Sequence, residues 1–313
     1  MTAPAARPTG ERTGERQRVV LITRKTSLEL LLERHGTLSQ ARFYLRARGE
    51  DPQRYEVAHE HQRAALSAVS QALPPDQRRT RVEREQLARF LFAADDLVLI
   101  VGQDGLVANV AKYLQGQTTV GINPDPASFD GVLCRHPPAA MPQLLAWARE
   151  PGPTFRLQER TMAMARREDG QQLLALNELF VGHQTHQSAR YRIELPKGKE
   201  RQSSSGLICS TGTGATGWGR SIAEQRHLEK KLPAPDELRL VWFVREPFPS
   251  VATGTKLSFG QLAAGQALVL WSEMQQGGTV FADGIEEDRL EFATGHRLEV
   301  RVAERQLRLV VPG

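Results

Sequence analysis

The sequence predicts an α/β domain with an open, mostly parallel sheet, followed by a C-terminal all-β domain. Over residues 19–150, apolar runs typical of buried strands alternate with stretches of helical periodicity, as in sheets whose strands are joined by helices. After the Pro- and Gly-rich residues 151–153, short runs separated by polar turns largely replace the helices, which is typical of antiparallel sheets. We therefore place an α/β domain at 19–150 and a β-rich domain at 151–313.

Composition limits the class of protein and its compartment. Of 313 residues, 40% are hydrophobic and 25% charged, as in globular proteins, and no apolar run approaches the ~18 residues of a membrane helix. The formal net charge of +5 mildly favours anionic ligands, but the basic residues are dispersed, unlike those of nucleic-acid-binding proteins. Cys134 and Cys209 lie among apolar neighbours, which predicts buried thiols in a reducing compartment. We expect a cytoplasmic protein that binds neither membranes nor nucleic acid.

Helical periodicity and apolar runs assign the first domain in order. Residues 1–18 are mostly Pro, Thr, Gly, Ala, Arg and Glu with no apolar segment of signal type, and they predict a disordered tail. Ser39 suits the N-cap of the second helix, and two prolines at 74–75 end the third. The predicted strands are 19–23, 97–101 and 118–122, and the predicted helices are 26–34, 39–48, 55–73, 81–92 and 106–114.

In the second domain, short apolar runs separated by polar turns predict mainly strands. One helix is expected after residues 210–218, running to about residue 231. The predicted strands are 155–159, 172–181, 189–195, 206–211, 238–244, 267–271, 279–281, 297–302 and 307–311.

Residues 102–105, Gly-Gln-Asp-Gly, lie between a buried strand and a helix. Strand, glycine turn and helix together place backbone N–H groups and a helix N-terminus against a phosphate. Asp104 would repel a bare phosphate, yet its carboxylate could take a proton from a hydroxyl that attacks one. The alternative is that Asp104 simply caps the helix. Asn123 also follows the end of a predicted parallel strand, where α/β sheets bind ligands, and this favours the functional interpretation.

Two polar stretches interrupt the β-rich domain. Asn177 and Glu178 lie in an apolar run, where burial is unfavourable unless the polar groups are hydrogen-bonded; the alternative is an exposed bulge or strand end. Asp283 and Gly284 are, by composition, a hairpin turn. Two pairs of nearby histidines lack a third ligand at metal spacing, so we predict no dedicated metal site.

Residues 210–218, Ser-Thr-Gly-Thr-Gly-Ala-Thr-Gly-Trp, satisfy the glycine spacing of the dinucleotide fingerprint G-x-G-x-x-G. With the strand at 238–244 and Glu246 after it, they could form the βαβ unit of an NAD-dependent oxidoreductase. However, Glu246 lies farther from the last glycine than the usual ~20 residues, and no further βα alternation follows. The density of hydroxyl groups favours a polar ligand held by side chains as well as backbone.

Four motifs, in this order, resemble those of the NAD kinases. They are GQDG at 102–105, ALNE at 175–178, SGLICSTGTGATGW at 205–218 and DG at 283–284, where the family has GGDG, a strand with Asn-Glu, DG-apolar-apolar-ST-x-TGSTAY and a late DG. The resemblance covers most of the chain from Val19 onward. VGINPDPASFDGVLC at 120–134 and SSSGLICSTGTG at 203–214 are similar to segments of the mitochondrial-type NAD kinases and their bacterial relatives.

The resemblance implies transfer of the γ-phosphoryl group of ATP to the 2′-hydroxyl of the adenosine ribose of NAD or NADH, which gives NADP or NADPH. It implies a dinucleotide between two domains, Mg²⁺ that travels with ATP and is held mostly by phosphates and water, and a homo-oligomer, either a dimer or a tetramer. Asp104 would be the general base on the ribose hydroxyl. The other implied residues are Gly102, Gln103 and Gly105 at the phosphates, and Asn123, Asn177, Glu178, Thr211, Thr213, Thr216, Gly217, Trp218 and Ser221 at NAD.

The chain departs from the family pattern within these motifs. Gln103 stands where GGDG has its second glycine; its side chain would crowd the phosphates if the position requires a positive φ, or its amide could donate a hydrogen bond to them. Trp218 takes the place of a tyrosine and could still stack on a base. Two other functions stay open: a non-catalytic NAD(P)-binding or regulatory protein of the same fold, and a kinase of the wider superfamily that acts on a sugar or lipid hydroxyl. Asp104 favours an enzyme.

Overall fold

The computed structural model describes residues 17–196 and 198–313. Residues 1–16, most of the predicted disordered tail, lie outside the described residues. Arg18 lies within them, and its guanidinium donates hydrogen bonds of 2.8 and 2.7 Å to the buried carboxylate of Asp96. Because these two residues each directly precede a strand, the ion pair aligns the beginnings of two neighbouring strands.

Within the described residues there are six α-helices, and side-chain caps explain where the first three begin. Thr26 and Glu29 form a reciprocal capping box at the first helix. Thr37, and not the predicted Ser39, caps the second. Asp51 caps the third, which has proline in its first turn. The helices are α1 (Ser27–His35), α2 (Leu38–Arg46), α3 (Pro52–Ala72), α4 (Asp104–Ala111), α5 (Met141–Arg149) and α6 (Trp218–Gln225).

The described strands form two sheets. The strands are β1 (Val19–Thr23), β2 (Arg79–Glu83), β3 (Leu97–Val101), β4 (Thr118–Ile122), β5 (Phe155–Arg167), β6 (Gln172–Ala175), β7 (Glu178–His183), β8 (Ala189–Leu195), β9 (Gly198–Ser204), β10 (Leu207–Ser210), β11 (Arg239–Val244), β12 (Phe259–Ala263), β13 (Ala267–Ser272), β14 (Gly278–Ala282), β15 (Ile285–Glu291) and β16 (Arg297–Pro312).

The first sheet combines parallel and antiparallel strands. Its order is β2-β1-β3-β4-β16-β13-β8-β9, with β5 paired to β16 and β6 to β5. From β2 to β16 the neighbours are parallel, and β16 continues the sheet into antiparallel pairs with β5 and β13. The second sheet is antiparallel, in the order β12-β11-β10-β7-β14-β15. The predicted fold class, a mixed α/β sheet with parallel strands and a separate antiparallel β sheet, is confirmed.

Several assignments from the sequence are wrong; for example, the strands predicted at 297–302 and 307–311 are the single strand β16. The helix predicted at 81–92 is instead β2 followed by a 3₁₀ helix, Arg84–Arg89, and Val82 is the buried residue of a strand with more exposed neighbours. The strand predicted at 172–181 is two strands, because the chain passes from the first sheet to the second at Leu176 and Asn177. The apolar run hides this crossing because both strands are buried. The last predicted helix also ends earlier, at Gln225.

Of the four apolar clusters among the described residues, one packs α6 on the second sheet, and three lie on or between the two sheets. One fills the space between them, with Leu179 and Cys209 of the second sheet among the same buried residues as Leu268 of the first. The other two take alternate residues of β1 and β3 and so cover the two faces of the parallel strands. Within the described chain, no helix combines the length and apolar character needed to cross a bilayer. The carboxyl ends of β1, β3 and β4 lead into the loops that carry the predicted site.

Candidate active site

Asp104 lies in the first turn of α4, and its carboxylate holds another loop. Oδ2 accepts the N–H of Val132 at 2.8 Å, while Oδ1 accepts those of Leu133 and Cys134 at 2.9 and 2.8 Å. The interpretation of Asp104 as a helix cap is wrong, since the N-cap residue is Gln103 and the helix has no side-chain cap. A carboxylate offers about four acceptor positions, so one, on Oδ2, remains for a further donor.

The loop that Asp104 binds packs tightly against β4. A Cβ on Gly121 would lie 2.3 Å from the carbonyl oxygen of Leu133, and Gly131 has a φ of +67°. These glycines let residues 131–134 run beside the strand, so their N–H groups converge on Asp104. The same contact places Cys134 in the interior, where burial raises the pKa of its thiol, and the charge of Asp104 raises it further.

Gln103 has an extended backbone, with φ −89° and ψ 164°, so its position does not require glycine. Its Oε1 accepts a hydrogen bond from Nη2 of Arg24 at 2.8 Å. Gly102 approaches Leu106, whose Cδ2 would lie 3.1 Å from an added Cβ, whereas Gly105 has open space where a Cβ would be. The first of the two alternatives for Gln103, crowding of the phosphates at a positive φ, is therefore excluded.

Positive side chains outnumber the negative ones, Glu85 and Asp125, on the Gln103 side of this loop. Arg24, Lys25 and Arg84 line a cavity of about 210 Å³ together with Gly102 and Gln103. Burial lowers the pKa of the Arg24 guanidinium, and the charge of Arg84 lowers it further. Two guanidinium groups that repel each other across a cavity are an arrangement that an anion would stabilise.

A larger cavity of about 600 Å³ adjoins the first and shares Gln103 with it. Tyr55 and Phe129 contribute aromatic surface to its wall. The side chain of Asn123 is held by the loop beside this cavity. Its Nδ2 donates to the carbonyl of Phe129 at 2.7 Å, and its Oδ1 accepts the N–H of Asp125 at 3.0 Å. Asn123 therefore shapes the loop that lines the cavity.

The crossing between β6 and β7 is formed by Leu176 and Asn177 and leads into Glu178, the first residue of β7. The carboxylate of Asp283 holds this Asn-Glu crossing. The Asp283 carboxylate accepts the N–H groups of Leu176, Asn177 and Glu178 at 3.0, 2.7 and 3.3 Å. Asp283 and Gly284 form the tight turn between β14 and β15, with φ of 54° and 71°, so the predicted hairpin turn is confirmed. Two aspartates in this protein thus each bind three consecutive backbone N–H groups.

Glu178 is half-buried beside this cluster. Burial, together with the charge of Asp283, raises the pKa of Glu178 to about 7 from 4.5, and burial raises the pKa of Asp283 to about 6 despite its three N–H donors. Glu178 therefore changes charge close to neutral pH. Its protonated form can donate a hydrogen bond to a ligand, which its ionised form cannot.

We expect Glu178→Gln to change the pH dependence of stability. Because folding raises the pKa of Glu178, the native state binds this proton more tightly than the unfolded state does. The contribution of the protonated carboxyl to the free energy of unfolding is therefore complete below about pH 4.5 and is lost as the pH rises through about 7. At about pH 8, Glu178→Gln should then be more stable than the unmodified protein by up to roughly 3 kcal/mol, since one pKa unit is about 1.4 kcal/mol. Urea unfolding across this range measures the difference. Glu287→Gln, at an exposed position of β15, is the control. A difference for Glu178→Gln that stays constant with pH would contradict the prediction.

The Thr-Gly-rich residues bind the same crossing from the other side. The N–H of Thr211 donates to the carbonyl of Asn177 at 2.9 Å, and the Thr211 hydroxyl donates to that of Leu176 at 2.5 Å. The interpretation of this segment as a Rossmann loop is wrong, because β10 and β11 are antiparallel and a βαβ unit needs parallel strands. The segment is a turn whose Thr211 fixes the Asn-Glu crossing by two hydrogen bonds to its backbone.

The glycines of this segment differ in their surroundings. An added Cβ would lie 2.0 Å from the carbonyl oxygen of Ala234 at Gly212, and 2.3 Å from that of Asn177 at Gly214, so both are required for packing. Gly217, by contrast, has its nearest such atom at 3.8 Å and is exposed. It is therefore the glycine here beside which a ligand has room.

The remaining predicted residues lie on different sides of the turn. Thr213 is buried, whereas Thr216 and Ser221 are exposed. Trp218 stacks on Phe180, with parallel rings 6.1 Å apart, and the guanidinium of Arg245 lies 5.1 Å from its ring centre. The Trp218 ring therefore already has partners on the second sheet.

Three residues with prominent contacts were absent from the predicted set. Arg24 and Asp283 are described above, and Arg160 of β5 is a fully buried arginine whose Nη1 donates to the Thr213 hydroxyl at 3.3 Å. Two of them had a sequence signal. Asp283 lies in the DG motif at 283–284, and Arg160 is a charged residue next to a mostly apolar run on one strand.

Within residues 17–196 and 198–313, no three His, Cys, Asp or Glu side chains gather as a metal site. Asp104 and Asp283 each use most of their acceptor positions on backbone N–H groups. These side chains do not form a cage that fits Mg²⁺ by itself. An ion that accompanies a nucleotide would depend on phosphates and water for most of its ligands.

Comparison with known proteins bears on the fold. No protein-family model matches the chain, and no curated protein matches it. Among solved structures, the chain is similar to the crystal structure of an NAD kinase from Archaeoglobus fulgidus in complex with ATP, with a TM-score of 0.55 and 15% sequence identity. The match covers 95% of this chain and 94% of that chain. The chain therefore has an NAD kinase-like fold.

Proposed function

We propose that the protein is an NAD kinase-like phosphotransferase, which moves the γ-phosphoryl group of ATP to the adenosine 2′-hydroxyl of NAD or NADH. The observation that carries this proposal is the convergence of the four motifs. Thr211 and Asp283 both bind the backbone of the Asn177-Glu178 crossing, and Arg160, which donates a hydrogen bond to Thr213, interacts through space with the charge of Asp104. The fold, shared with an NAD kinase that was crystallised with ATP, supports the same function.

In this proposal, different residues bind different parts of the two substrates. Asp104 accepts the proton of the ribose hydroxyl through its remaining acceptor position, and the N-terminus of α4 at Gly102, Gln103 and Gly105 faces the phosphates. The charges of Arg24 and Arg84 and the amide of Gln103 attract the donor. The groups proposed to hold NAD are Asn177 and Glu178 at the ribose and nicotinamide side, and Thr213, Thr216, Gly217, Trp218 and Ser221 at the adenosine. Mg²⁺ bound with ATP would supply further positive charge at the phosphates.

A second candidate function is supported by the contacts of Asp104. Because three backbone N–H groups already occupy its carboxylate, Asp104 also suits a structural role in a dinucleotide-binding protein without turnover. Incubation of the purified protein with NAD or NADH and a panel of phosphate donors, followed by chromatography for NADP and NADPH, decides between the two. Product with any donor supports the kinase; binding of NAD without product supports the binding protein.

We expect Gly105→Ala to separate phosphate binding from folding. The new methyl group has free space and a helical position, so stability should stay the same or rise by up to about 1 kcal/mol. If the loop approaches the donor phosphates there, the KM for ATP should rise about tenfold or more. Steady-state kinetics and thermal unfolding measure the two effects. Gly152→Ala, a position with equally open space in another loop, is the control, and an unchanged KM for ATP would contradict the assignment.

A further inference from the structure

Lys112 directly follows α4, and its side chain is nearly buried. The side chain is 7% exposed, and Nζ forms an ion pair of 2.7 Å with Oδ2 of Asp288 on β15. A buried ammonium group is unfavourable unless a negative charge pairs with it. Because α4 belongs to the first domain and β15 to the second sheet, this ion pair joins the two parts of the chain. It also joins two motifs, since α4 begins with Asp104 and β15 follows the turn of Asp283 and Gly284.

An irregularity in β15 presents Asp288 to this lysine. Where β14 passes from residue 281 to residue 282, the pairing register shifts, so that residues 286–288 of β15 have no opposite residue on β14. Extra residues of this kind form a β-bulge, which can redirect a side chain and is common beside active sites. Asp288 is the last of the three, and its half-exposed carboxylate lies on Nζ of Lys112.

The apolar contacts of α4 hold the helix but do not by themselves fix its position along the strands. The apolar side chains of α4 share one buried cluster with Leu174 of β6 and Leu176 of the Asn-Glu crossing. Such burial is non-directional. The ion pair of Lys112 is directional, and it lies at the end of α4 opposite to Asp104, about 12 Å away at a rise of about 1.5 Å per residue. It therefore supplies the fixed point that apolar burial does not.

The charge of Lys112 also acts on the carboxylate of Asp283. Burial raises the pKa of Asp283, and the charge of Lys112 opposes this rise. The ionised carboxylate is an acceptor only, as its hydrogen bonds from the N–H groups of Leu176, Asn177 and Glu178 require, whereas a protonated carboxyl turns one acceptor position into a donor. Lys112 therefore favours the form of Asp283 that holds the crossing.

We propose that Lys112 is a positioning residue, which through Asp288 fixes the β14–β15 hairpin against α4 and so sets the position of the Asn-Glu crossing relative to Asp104. This inference rests on the proposed function, in which NAD binds at the crossing with its ribose hydroxyl facing Asp104. The alternative is that the ion pair only adds to the stability of the fold. Positioning requires that NAD binding depends on the pair, while ATP binding at the Gln103 end of α4 does not.

Four variants test the pair. Lys112→Met removes the charge and keeps a long side chain, Lys112→Arg keeps the charge, and Asp288→Asn removes the charge of the partner. The double variant Lys112→Met/Asp288→Asn tests whether the two residues act as one unit. Lys199→Met is the matched control, because Lys199 forms an ion pair of 2.8 Å with Glu194 between β9 and β8, and its side chain is 62% exposed.

Two measurements on the full chain separate positioning from stability. Isothermal titration with NAD and, separately, with ATP gives the two affinities. Hydrogen–deuterium exchange followed by mass spectrometry reports on residues 172–183, which contain the crossing, and on residues 189–195 of β8 as an internal reference.

We expect Lys112→Met and Asp288→Asn each to weaken NAD binding about tenfold or more, because small displacements of positioned groups have large effects. Exchange at 172–183 should become faster by about the same factor. The ATP affinity and the exchange of β8 should not change. Lys112→Arg should stay within about threefold of the unmodified protein, and the double variant should bind NAD no more weakly than the weaker single variant, because both changes remove the same interaction.

Unchanged NAD affinity in Lys112→Met would overturn the inference even if exchange at the crossing became faster, because the pair would then serve stability alone. Equal losses of NAD and ATP affinity, a loss as large in Lys199→Met, additive losses in the double variant, or no binding of NAD by the unmodified protein would overturn it as well. Should Lys112→Met fail to fold, Asp288→Asn, at its half-exposed position, decides the matter by the same measurements.

Failure of this inference and failure of the proposed function are distinguishable, because neither measurement requires turnover. Weaker NAD binding in Lys112→Met, with no NADP formed by the unmodified protein, would keep the inference and reject the kinase. NADP formation by the unmodified protein, with unchanged NAD affinity in Lys112→Met, would keep the kinase and reject the inference.

Discussion

Replacing Asp104 by Asn is expected to lower phosphoryl transfer to NAD by about 10²–10⁴-fold, the usual contribution of a general base. An amide oxygen can still accept the N–H groups of Leu133 and Cys134, but the amide nitrogen in place of Oδ2 cannot accept that of Val132 or a substrate proton. The loss of one such bond should lower the free energy of unfolding by about 1–3 kcal/mol. NAD binding should persist.

Steady-state turnover, NAD titration and urea unfolding measure these three effects. Asp130→Asn is the matched control, because Asp130 is an exposed carboxylate in the loop next to the N–H groups that Asp104 binds. Asp104→Ala should destabilise the fold further than Asp104→Asn, since it removes both oxygens and leaves all three N–H groups without their acceptor. Full turnover in Asp104→Asn would reject the assignment of a base and leave Asp104 as the residue that holds residues 132–134.

The sequence predicts well those elements whose residues are buried on both faces. The bounds of β1, β3 and β4 agree with the prediction because a continuous apolar run permits few other structures. The edge strand β2 is mistaken for a helix, since its arginines and a single buried valine give little alternation. The crossing at Asn177 is invisible for a different reason: both strands are buried, and only their assignment to different sheets separates them.

In the candidate site, too, the sequence predicts some features and misses others. The motif residues are recognised from local spacing, and the structure places Thr211 and Asp283 on the same backbone crossing. What the sequence misses is how carboxylates bind distant backbone groups. Asp104 reaches a loop beyond the next strand, and Asp283 reaches a crossing more than a hundred residues earlier, so neither contact leaves a local pattern. For Gln103 the sequence left two alternatives, and only the φ observed in the structure decides between them.

Replacing Asp283 by Ala is expected to have the largest effect on stability, a decrease in the free energy of unfolding of about 3–5 kcal/mol. The carboxylate accepts the N–H groups of Leu176, Asn177 and Glu178, and buried donors without an acceptor each cost about 1–3 kcal/mol. The crossing should then lose its fixed geometry, so NAD affinity should fall as well if Asn177 and Glu178 bind it.

Asp283→Asn tests the cause of this effect. Its amide oxygen can keep the two bonds that Oδ1 accepts, from Asn177 and Glu178, and loses the one from Leu176, so the decrease should be about 1–3 kcal/mol. Urea unfolding and NAD titration of both variants, beside the exposed control Glu287→Gln of β15, measure the series. Equal destabilisation by Ala and Asn would mean that the charge of Asp283 matters more than the number of N–H groups it accepts. A graded series would instead assign the stability of the Asn-Glu crossing to those hydrogen bonds, because both variants lack the charge and only Asn keeps two of the three bonds.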